Sequence, residues 1–464
     1  MKIAFRCDGD LRVGAGHVAR SLEIAKAFAR AGHEPLFLGC YAGLASDLVA
    51  AAGFANGLPG PGATGAPPGA DAVVVDSYEI GAEELGRLAD RLPVAVVNDE
   101  HEIPAPVTAV LNYHVPPPGH PRALPPVVQI LGPDYAPVSP RLAAARHERG
   151  LAHALVTFGG SERARALVEP ATEALGSLGE LEVFISGSGA VPDVGLVERI
   201  NWADVAISAA GTTAYELACA GVPTVAAAIV DNQQVVAGGL QRAGAVRRFD
   251  ARPGDFRRRL VAELAALASA AERERLAIRG PEVVDGHGAA RARDALLCAF
   301  AGRRLPRVLR YRPARAEDAA QLLAWRTDPH VRAASRNSGE IDSSEHLRWL
   351  DGVLSDLDRV LLIAQREGEP VGSLRFDRAE GRAEISVSIA AEHRGDGLGT
   401  QAIREASELF LAANPGVRAV VAHVRAENTG SMRAFERAGY RVTPDTVGGM
   451  RVLEVAQPVR PSPP

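Results

Sequence analysis

Two short stretches of the 464-residue chain set reactive side chains where a strand gives way to a helix. In RVGAGHVAR, residues 12–20, His17 stands directly behind Gly14 and Gly16. A glycine-rich turn at a helix head ordinarily cradles a phosphate, because backbone N–H groups converge there. A histidine offers other chemistry: with an ordinary pKa of about 6.5, it suits general base catalysis near neutrality. Capping or packing of the helix is the alternative, and the motif alone leaves both open. In HRGDGLG, residues 393–399, Arg394, Gly397 and Gly399 fit R-x-x-G-x-G, and Gly395 and Thr400 belong to the same loop. Such glycines let N–H donors converge on a pyrophosphate, and a plain N-cap turn is the competing reading.

Three further stretches carry groups suited to a nucleotide-linked ligand. FGGSE follows a strand and offers Gly159, Gly160 and Ser161 to a phosphate. SAAGTTAYELACAGVP reads as strand, turn and helix, with Gly211, Thr212 and Thr213 at the helix N-terminus as a diphosphate seat. Glu216, expected on the first turn of that helix, could accept both hydroxyls of a ribose. VDNQQ supplies Asn232, Gln233 and Gln234 for sugar hydroxyl or amide groups. Asp8 and Asp10 form a D-x-D, a pattern that elsewhere binds a divalent ion. A diphosphate seated on backbone amides does not need one, and the expectation is no metal.

The elements that must position these groups fall into two styles. KIAFRC, PLFLGC, DAVVVDSY, PVAVVND and TAVLNY are short apolar runs with helical patterns between them, the first helix ending at Gly32. Strands alternating with helices imply a parallel sheet with right-handed crossovers. The rhythm stops in the Pro-rich HVPPPGHPRALPP and restarts near residue 151 with HALVTFGG, ELEVFISG, DVAISAAG and VPTVAAAIV. From about residue 306 an antiparallel meander takes over, with turns at Gly368 and near Gly381. The expected organisation is a Rossmann-like lobe at 1–148, a second at 149–305, an α+β domain at 306–458 and a disordered tail at 459–464.

Composition bounds the function classes. Hydrophobic residues are 47%, charged residues 23% and the formal net charge is −5. No basic block marks a nucleic-acid surface. The four cysteines show no zinc spacing and read as free thiols in a reducing compartment. MKIAFRCDGD lacks a signal-peptide apolar region, and no apolar run reaches spanning length. These features predict a cytoplasmic protein with small-molecule ligands, no nucleic acid and no membrane. Oligomeric state is not legible.

On the R-x-x-G-x-G loop and the later ENTGSMRAFERAGYR, residues 308–455 resemble a GCN5-related N-acetyltransferase (GNAT). The resemblance implies acetyl-CoA as cosubstrate, its pyrophosphate on the loop, and a coenzyme wall completed by Asn428, Ser431, Phe435 and Tyr440. LLAWRTDPHVR, with Trp325, Arg326, Asp328, Pro329 and Arg332, and then His346 and Trp349, is similar to the sub-group acetylating amino groups of nucleotide-linked sugars. It implies that Trp325 and Arg326 bind substrate. Glu384 lies on the strand that borders the acceptor in this family and is the candidate base, a solvated strand carboxylate being the alternative. Phe435 stands where the family often has a tyrosine acid. That role is then vacant, or falls to water or Tyr440, which is tolerable for a thiolate whose pKa is near about 8.5.

The first 300 residues resemble nucleotide-sugar enzymes of the two-lobed GT-B fold, and within them the UDP-2,4-diacetamido-2,4,6-trideoxy-β-L-altropyranose hydrolases of pseudaminic acid biosynthesis. The match runs through Arg6, Asp8, Gly14, Gly16, His17 and Arg20, then Asp76 and Tyr78, Asn98 and Asp99, Asn112, Gly132 and Tyr135, and Asp285, Gly286, Gly288 and Arg291. It implies UDP on the second lobe, His17 as the catalytic residue beside the anomeric carbon, and Asp8 or Tyr78 orienting the imidazole or the water. The whole chain would then acetylate a UDP-linked 4-amino sugar and hydrolyse the product to free sugar and UDP. A glycosyltransferase with a fused acetyltransferase, a hydrolase for another diacetamido sugar isomer, and a non-catalytic nucleotide-sugar sensor remain as alternatives.

Overall fold

The computed structural model describes residues 1–9, 15–57, 69–99, 106–116, 127–144, 150–159, 162–186, 195–251, 256–334 and 342–457. Asp10, Gly14, Gly160, Ser161 and the 459–464 tail lie outside the described residues. Met1–Pro306 and Arg307–Arg460 form separate compact units.

The first unit is built on two parallel sheets. Among the described residues, β1 (Lys2–Cys7), β2 (Glu34–Leu38), β3 (Ala55–Gly57), β4 (Ala72–Asp76), β5 (Val94–Val97), β6 (Ala109–Asn112) and β7 (Val128–Leu131) order as β3-β2-β1-β4-β5-β6-β7. β8 (His153–Thr157), β9 (Glu182–Ser186), β10 (Val205–Ala209), β11 (Thr224–Ala228) and β12 (Arg247–Asp250) order as β12-β11-β10-β8-β9. The central strands are near-continuous apolar runs because helices cover both faces of a parallel sheet. The Gly16–Arg30 helix buries Val18, Leu22, Ala25 and Phe28 on one stripe. Three strands carry no such run in the sequence: β3, β7 and β12. All three are edge strands, with one hydrogen-bonded neighbour each, and β12 carries two arginines. Both sheets are Rossmann-like.

The two halves of this unit meet through specific close approaches. The Gly288–Phe300 helix packs on the Gly16–Arg30 helix, and Arg293 Nη1 donates to the Ala27 carbonyl at 3.2 Å. Gly288 lies so near that a Cβ would stand 1.9 Å from the Ala136 oxygen.

The second unit is a twisted, mostly antiparallel sheet. β13 (Arg310–Pro313), β14 (Arg359–Arg366), β15 (Glu369–Ala379), β16 (Arg382–Ile389), β17 (Ala419–Arg425), β18 (Arg441–Val447) and β19 (Met450–Ala456) order as β13-β14-β15-β16-β17-β19-β18. The expected turns are tight hairpins in which Glu367 and Gly368, then Glu380 and Gly381, hold positive φ of 55°, 90°, 51° and 75°. Positive φ at both central residues is the type I′ pattern that matches strand twist. One face packs the Leu398–Ala413 helix through Leu398, Ala402, Ile403 and Phe410. The other packs Leu322, Trp325, Leu350 and Val353 from the Ala319–Thr327 and Ser343–Ser355 helices. β18 and β19 have no counterpart in the sequence reading. β18 is mostly exposed, holds Pro444, and its register with β19 shifts between Val442 and Thr446.

The one parallel pair in this sheet, β16 with β17, is short. It runs only from Arg382↔Ala419 to Glu384↔Val421. Beyond that rung the strands part, so a seam opens between their carboxyl-terminal halves.

Candidate functional site

In the first unit, four adjacent parallel strands deliver polar residues to one end of the sheet. Asp8 follows β1, Asp76 ends β4, Asp99 lies two residues past β5, and Tyr113 and His114 follow β6. The carboxyl ends of adjacent parallel strands are where such sheets hold ligands. His17 enters from the first turn of the Gly16–Arg30 helix and is 7% exposed.

His17 Nδ1 lies 2.5 Å from Asp76 Oδ1. Arg20 grips the same carboxylate with two nitrogens, Nε to Oδ2 and Nη2 to Oδ1, both at 2.6 Å. Ser21 Oγ adds a fourth contact at 3.2 Å. Burial opposes ionisation of Asp76, but the charge of Arg20 and these hydrogen bonds outweigh it and hold its pKa below the usual value. An ionised carboxylate only accepts, so a neutral ring pairs with it through Nδ1–H and keeps its lone pair on Nε2. The ring edge of Tyr78 stands against His17 with centroids 4.6 Å apart, and the Tyr78 hydroxyl donates to Asp99 Oδ2 at 2.6 Å.

The network continues into the second half of the unit. Asp99 Oδ1 receives Arg20 Nη1 at 2.7 Å and meets His114 Nε2 at 2.9 Å. Despite burial, Arg20 and His114 keep Asp99 well below the usual carboxylate range. His114 Nδ1 lies 2.9 Å from the Tyr215 hydroxyl, and Tyr215 belongs to the Thr212–Cys219 helix. That helix is the expected diphosphate seat: Gly211 is its N-cap and Thr212 and Thr213 are its first residues, all half-buried.

Several sequence expectations are refined here. Asp76, and not Asp8, is the carboxylate against His17: Asp8 accepts from Cys40 N at 3.1 Å and Ser77 Oγ at 3.0 Å. Arg20, expected as a substrate contact, is 4% exposed and engaged by Asp76, Asp99 and Tyr113. Glu216 is the fifth residue of its helix, on the second turn and not the first. Gly16 is exposed at the start of the His17 helix, with open space where a Cβ would stand. Arg6, on β1, lies 3.9 Å from Glu84. Gly159 is exposed with φ of 84°. Asn232 is the N-cap of the Gln233–Arg242 helix, and Gln233 Oε1 accepts from Ile229 N at 2.8 Å. Asp76, Asp99, Tyr113, His114 and Tyr215 were not singled out as working residues, although the carboxyl-end position of the first four was a usable signal.

In the second unit, the glycine loop leads into the Leu398–Ala413 helix, with Gly397 as its left-handed N-cap at φ 87° and Gly395 at φ 89°. Neither has an atom within 4 Å of where a Cβ would stand, so the loop presents bare backbone at the head of a 16-residue helix. Gly399 and Thr400 form its first turn. Such a cradle fits the pyrophosphate of acetyl-CoA. Arg394 is held by Ile389 O at 2.9 Å and Asp328 Oδ1 at 3.0 Å. Asn428 caps the Thr429–Arg437 helix, its Oδ1 accepting from Ser431 N at 3.1 Å.

Phe435 lies in the core, edge-on to Tyr440 at 4.9 Å. The Tyr440 hydroxyl is buried 2.7 Å from Ser407 Oγ, and burial raises its pKa. Trp325, expected to touch substrate, is 6% exposed and packs with Leu322 and Leu350. Apolar packing explains the residue, so this expectation is corrected. Arg326 is half-buried. Burial, then the charges of Arg375 and Arg332, depress its pKa, and Arg375 is itself paired with Asp377 at 2.8 Å. Arg375 also lies over the Trp349 ring at 5.7 Å. Glu384 Oε1 meets His423 Nδ1 at 3.2 Å on this same face of the sheet.

Among the described residues, no cluster of three or more His, Cys, Asp or Glu is placed to hold a metal, and no helix is long and apolar enough to cross a membrane.

Residues 308–441 match the family model of the acetyltransferase (GNAT) domain. YwnH of Bacillus subtilis (strain 168), named as a phosphinothricin acetyltransferase, is 28% identical over 116 residues, which is 24% of this chain and 69% of that protein. Among solved structures, aminoglycoside acetyltransferase AAC(6')-Ib in complex with coenzyme A is similar at 21% identity and a TM-score of 0.29, covering 32% of this chain and 95% of that one. Spermidine N-acetyltransferase from Vibrio cholerae, with CoA and spermine, is similar at 16% identity and a TM-score of 0.28, over 32% of this chain and 95% of that one. The carboxyl-terminal part of this chain is therefore an acetyl-CoA-dependent N-acetyltransferase (GNAT) domain.

Proposed function

We propose that the chain is a bifunctional nucleotide-sugar enzyme. Residues 306–458 acetylate the amino group of UDP-4-amino-4,6-dideoxy-N-acetyl-β-L-altrosamine. The two lobes at 1–148 and 149–305, in a GT-B arrangement, then hydrolyse the UDP bond of the diacetamido sugar. The single observation that carries the hydrolase half is the His17–Asp76 pair at 2.5 Å, at the carboxyl ends of the strands. With Nδ1 held by the carboxylate, Nε2 takes a proton from water as the water attacks the anomeric carbon and UDP departs. Asp76 stabilises the imidazolium that forms, and Tyr78 walls the ring. The Gly211–Thr213 helix head seats the diphosphate.

For the acetyl-transfer half, the bare loop at Gly395 and Gly397 seats the coenzyme pyrophosphate. The seam between β16 and β17 offers unpaired backbone groups to the extended chain that carries the thioester.

One reaction mixture tests the reading. Acetyl-CoA and the UDP-4-amino sugar are supplied to the full chain, and free thiol and UDP are followed separately. Both should appear, with UDP release dependent on prior acetylation. His17→Ala should abolish UDP release and leave thiol release intact; survival of both removes His17 from the hydrolysis. A glycosyltransferase would show UDP release only when an acceptor is added.

A further inference from the structure

The seam in the second unit has an imidazole paired with a carboxylate at the point where β16 and β17 part. Glu384 lies on the last hydrogen-bonded rung between β16 and β17, opposite Val421. His423 is two residues farther along β17, where that strand has left β16 and pairs only with β19 through Val452. Alternation sends Val420, Ala422 and Val424 into the core beneath the Leu398–Ala413 helix. His423 therefore lies on the opposite face, the one that also carries Arg375 and Trp349. Its side chain is 14% exposed and that of Glu384 is 31% exposed, with Nδ1 and Oε1 3.2 Å apart.

We infer that His423 is the catalytic base of the acetyl transfer and that Glu384 is its positioning residue. The proposal rests on the N-acetyltransferase assignment of this domain and on an acceptor being among the four amines tested below. The carboxylate fixes the ring tautomer: Nδ1–H donates to Glu384, and Nε2 is the ring's acceptor atom. Two features favour the imidazole over the carboxylate as the group that meets the amine. His423 stands beside the open part of the seam, whereas Glu384 is on its last closed rung. An imidazole is also a stronger base than a carboxylate, which eases proton removal from an ammonium group.

The step balances as follows. The ammonium nitrogen gives one proton to His423 Nε2 and attacks the thioester carbonyl carbon with the freed electron pair. The C–N bond forms, the C–S bond breaks, and the thiolate leaves with the bonding pair. The new amide nitrogen loses a second proton, which ends on the thiolate. His423 returns its proton to water, so one proton is released per acetyl group transferred.

The test uses the full chain, acetyl-CoA and four probe amines: the UDP-4-amino sugar, kanamycin, spermine and phosphinothricin. With any amine that the wild-type chain acetylates, His423→Gln should lower kcat on the order of 10²-fold, the lower range for general base catalysis. The KM for acetyl-CoA should stay within about twofold, which also reports that the domain is folded. His423→Gly should show the same loss and regain turnover when imidazole is added. Glu384→Gln should lower kcat less than either His423 variant, with the acetyl-CoA KM again unchanged. Wild-type kcat in both His423 variants overturns the proposal, and so does lost turnover that imidazole does not restore while the acetyl-CoA KM holds. Absence of thiol release by the wild-type chain with all four amines overturns it together with the acetyltransferase assignment, and that failure is recognised because it precedes any mutation.

Discussion

Arg394 Nη1 lies 3.0 Å from Asp328 Oδ1, so the glycine-rich loop is tied directly to the residue that opens the Pro329–Ala334 helix. The same carboxylate accepts the N–H groups of His330 at 3.0 Å and Val331 at 3.1 Å. Two motifs nearly seventy residues apart thus share one anchor.

Breaking that anchor should act on coenzyme affinity before it acts on turnover. Asp328→Asn removes the charge and keeps the shape. Partly exposed pairs contribute up to about 1 kcal/mol, so the acetyl-CoA KM should rise up to roughly fivefold. Steady-state kinetics with acetyl-CoA varied should show kcat little changed. A fall in kcat at constant KM would mean that Asp328 works on the acceptor side.

Acid should loosen the first unit. Asp76 and Asp99 both have pKa values depressed in the folded state. Their stabilisation is fully present above the unfolded aspartate pKa of about 3.9 and is lost as pH falls through the lower folded values. Protection factors of the amides in the Gly16–Arg30 helix should therefore fall below about pH 4. Asp76→Asn should destabilise at neutral pH and flatten this acid limb. An unchanged limb in that variant would show that other groups control it.

Gly288 is required for contact, not for backbone freedom. Its Cβ position is 1.9 Å from Ala136 O, and a backbone carbonyl cannot turn aside as a side chain can. Gly288→Ala should lower the stability of the first unit by about 1–3 kcal/mol, the range for overpacked sites. Denaturant unfolding followed at Trp202, in the first unit, would measure it. Gly86, with nothing within 4 Å of its Cβ position, is the matched control.

The central strands were legible because burial on both faces writes an unbroken apolar run. Of the edge strands, β9 was legible as ELEVFISG, but β12 and β18 were not, since RRFD and RVTPDTV bury little and show no period strong enough to separate them from loops. The hairpin turns at Gly368 and Gly381 were legible from glycine alone, although Glu367 and Glu380 also adopt positive φ, which their residue type does not announce. Of the chemistry, His17 and the glycine loop stood out through local spacing. The partner of His17 lies 59 positions away and that of Arg394 lies 66 away, and only the sheet order brings such pairs together. Trp325 misled because an aromatic residue in a recognisable motif can equally be core.

The order of the second sheet leaves β13 and β18 with one open side each. β13 ends on Pro313, and Pro444 falls inside the register break of β18. A proline has no N–H to offer an incoming strand, and an irregular edge presents no even ladder to copy. Both borders of the sheet are thus guarded against strand addition by another chain, which disfavours edge-to-edge aggregation of the acetyltransferase domain.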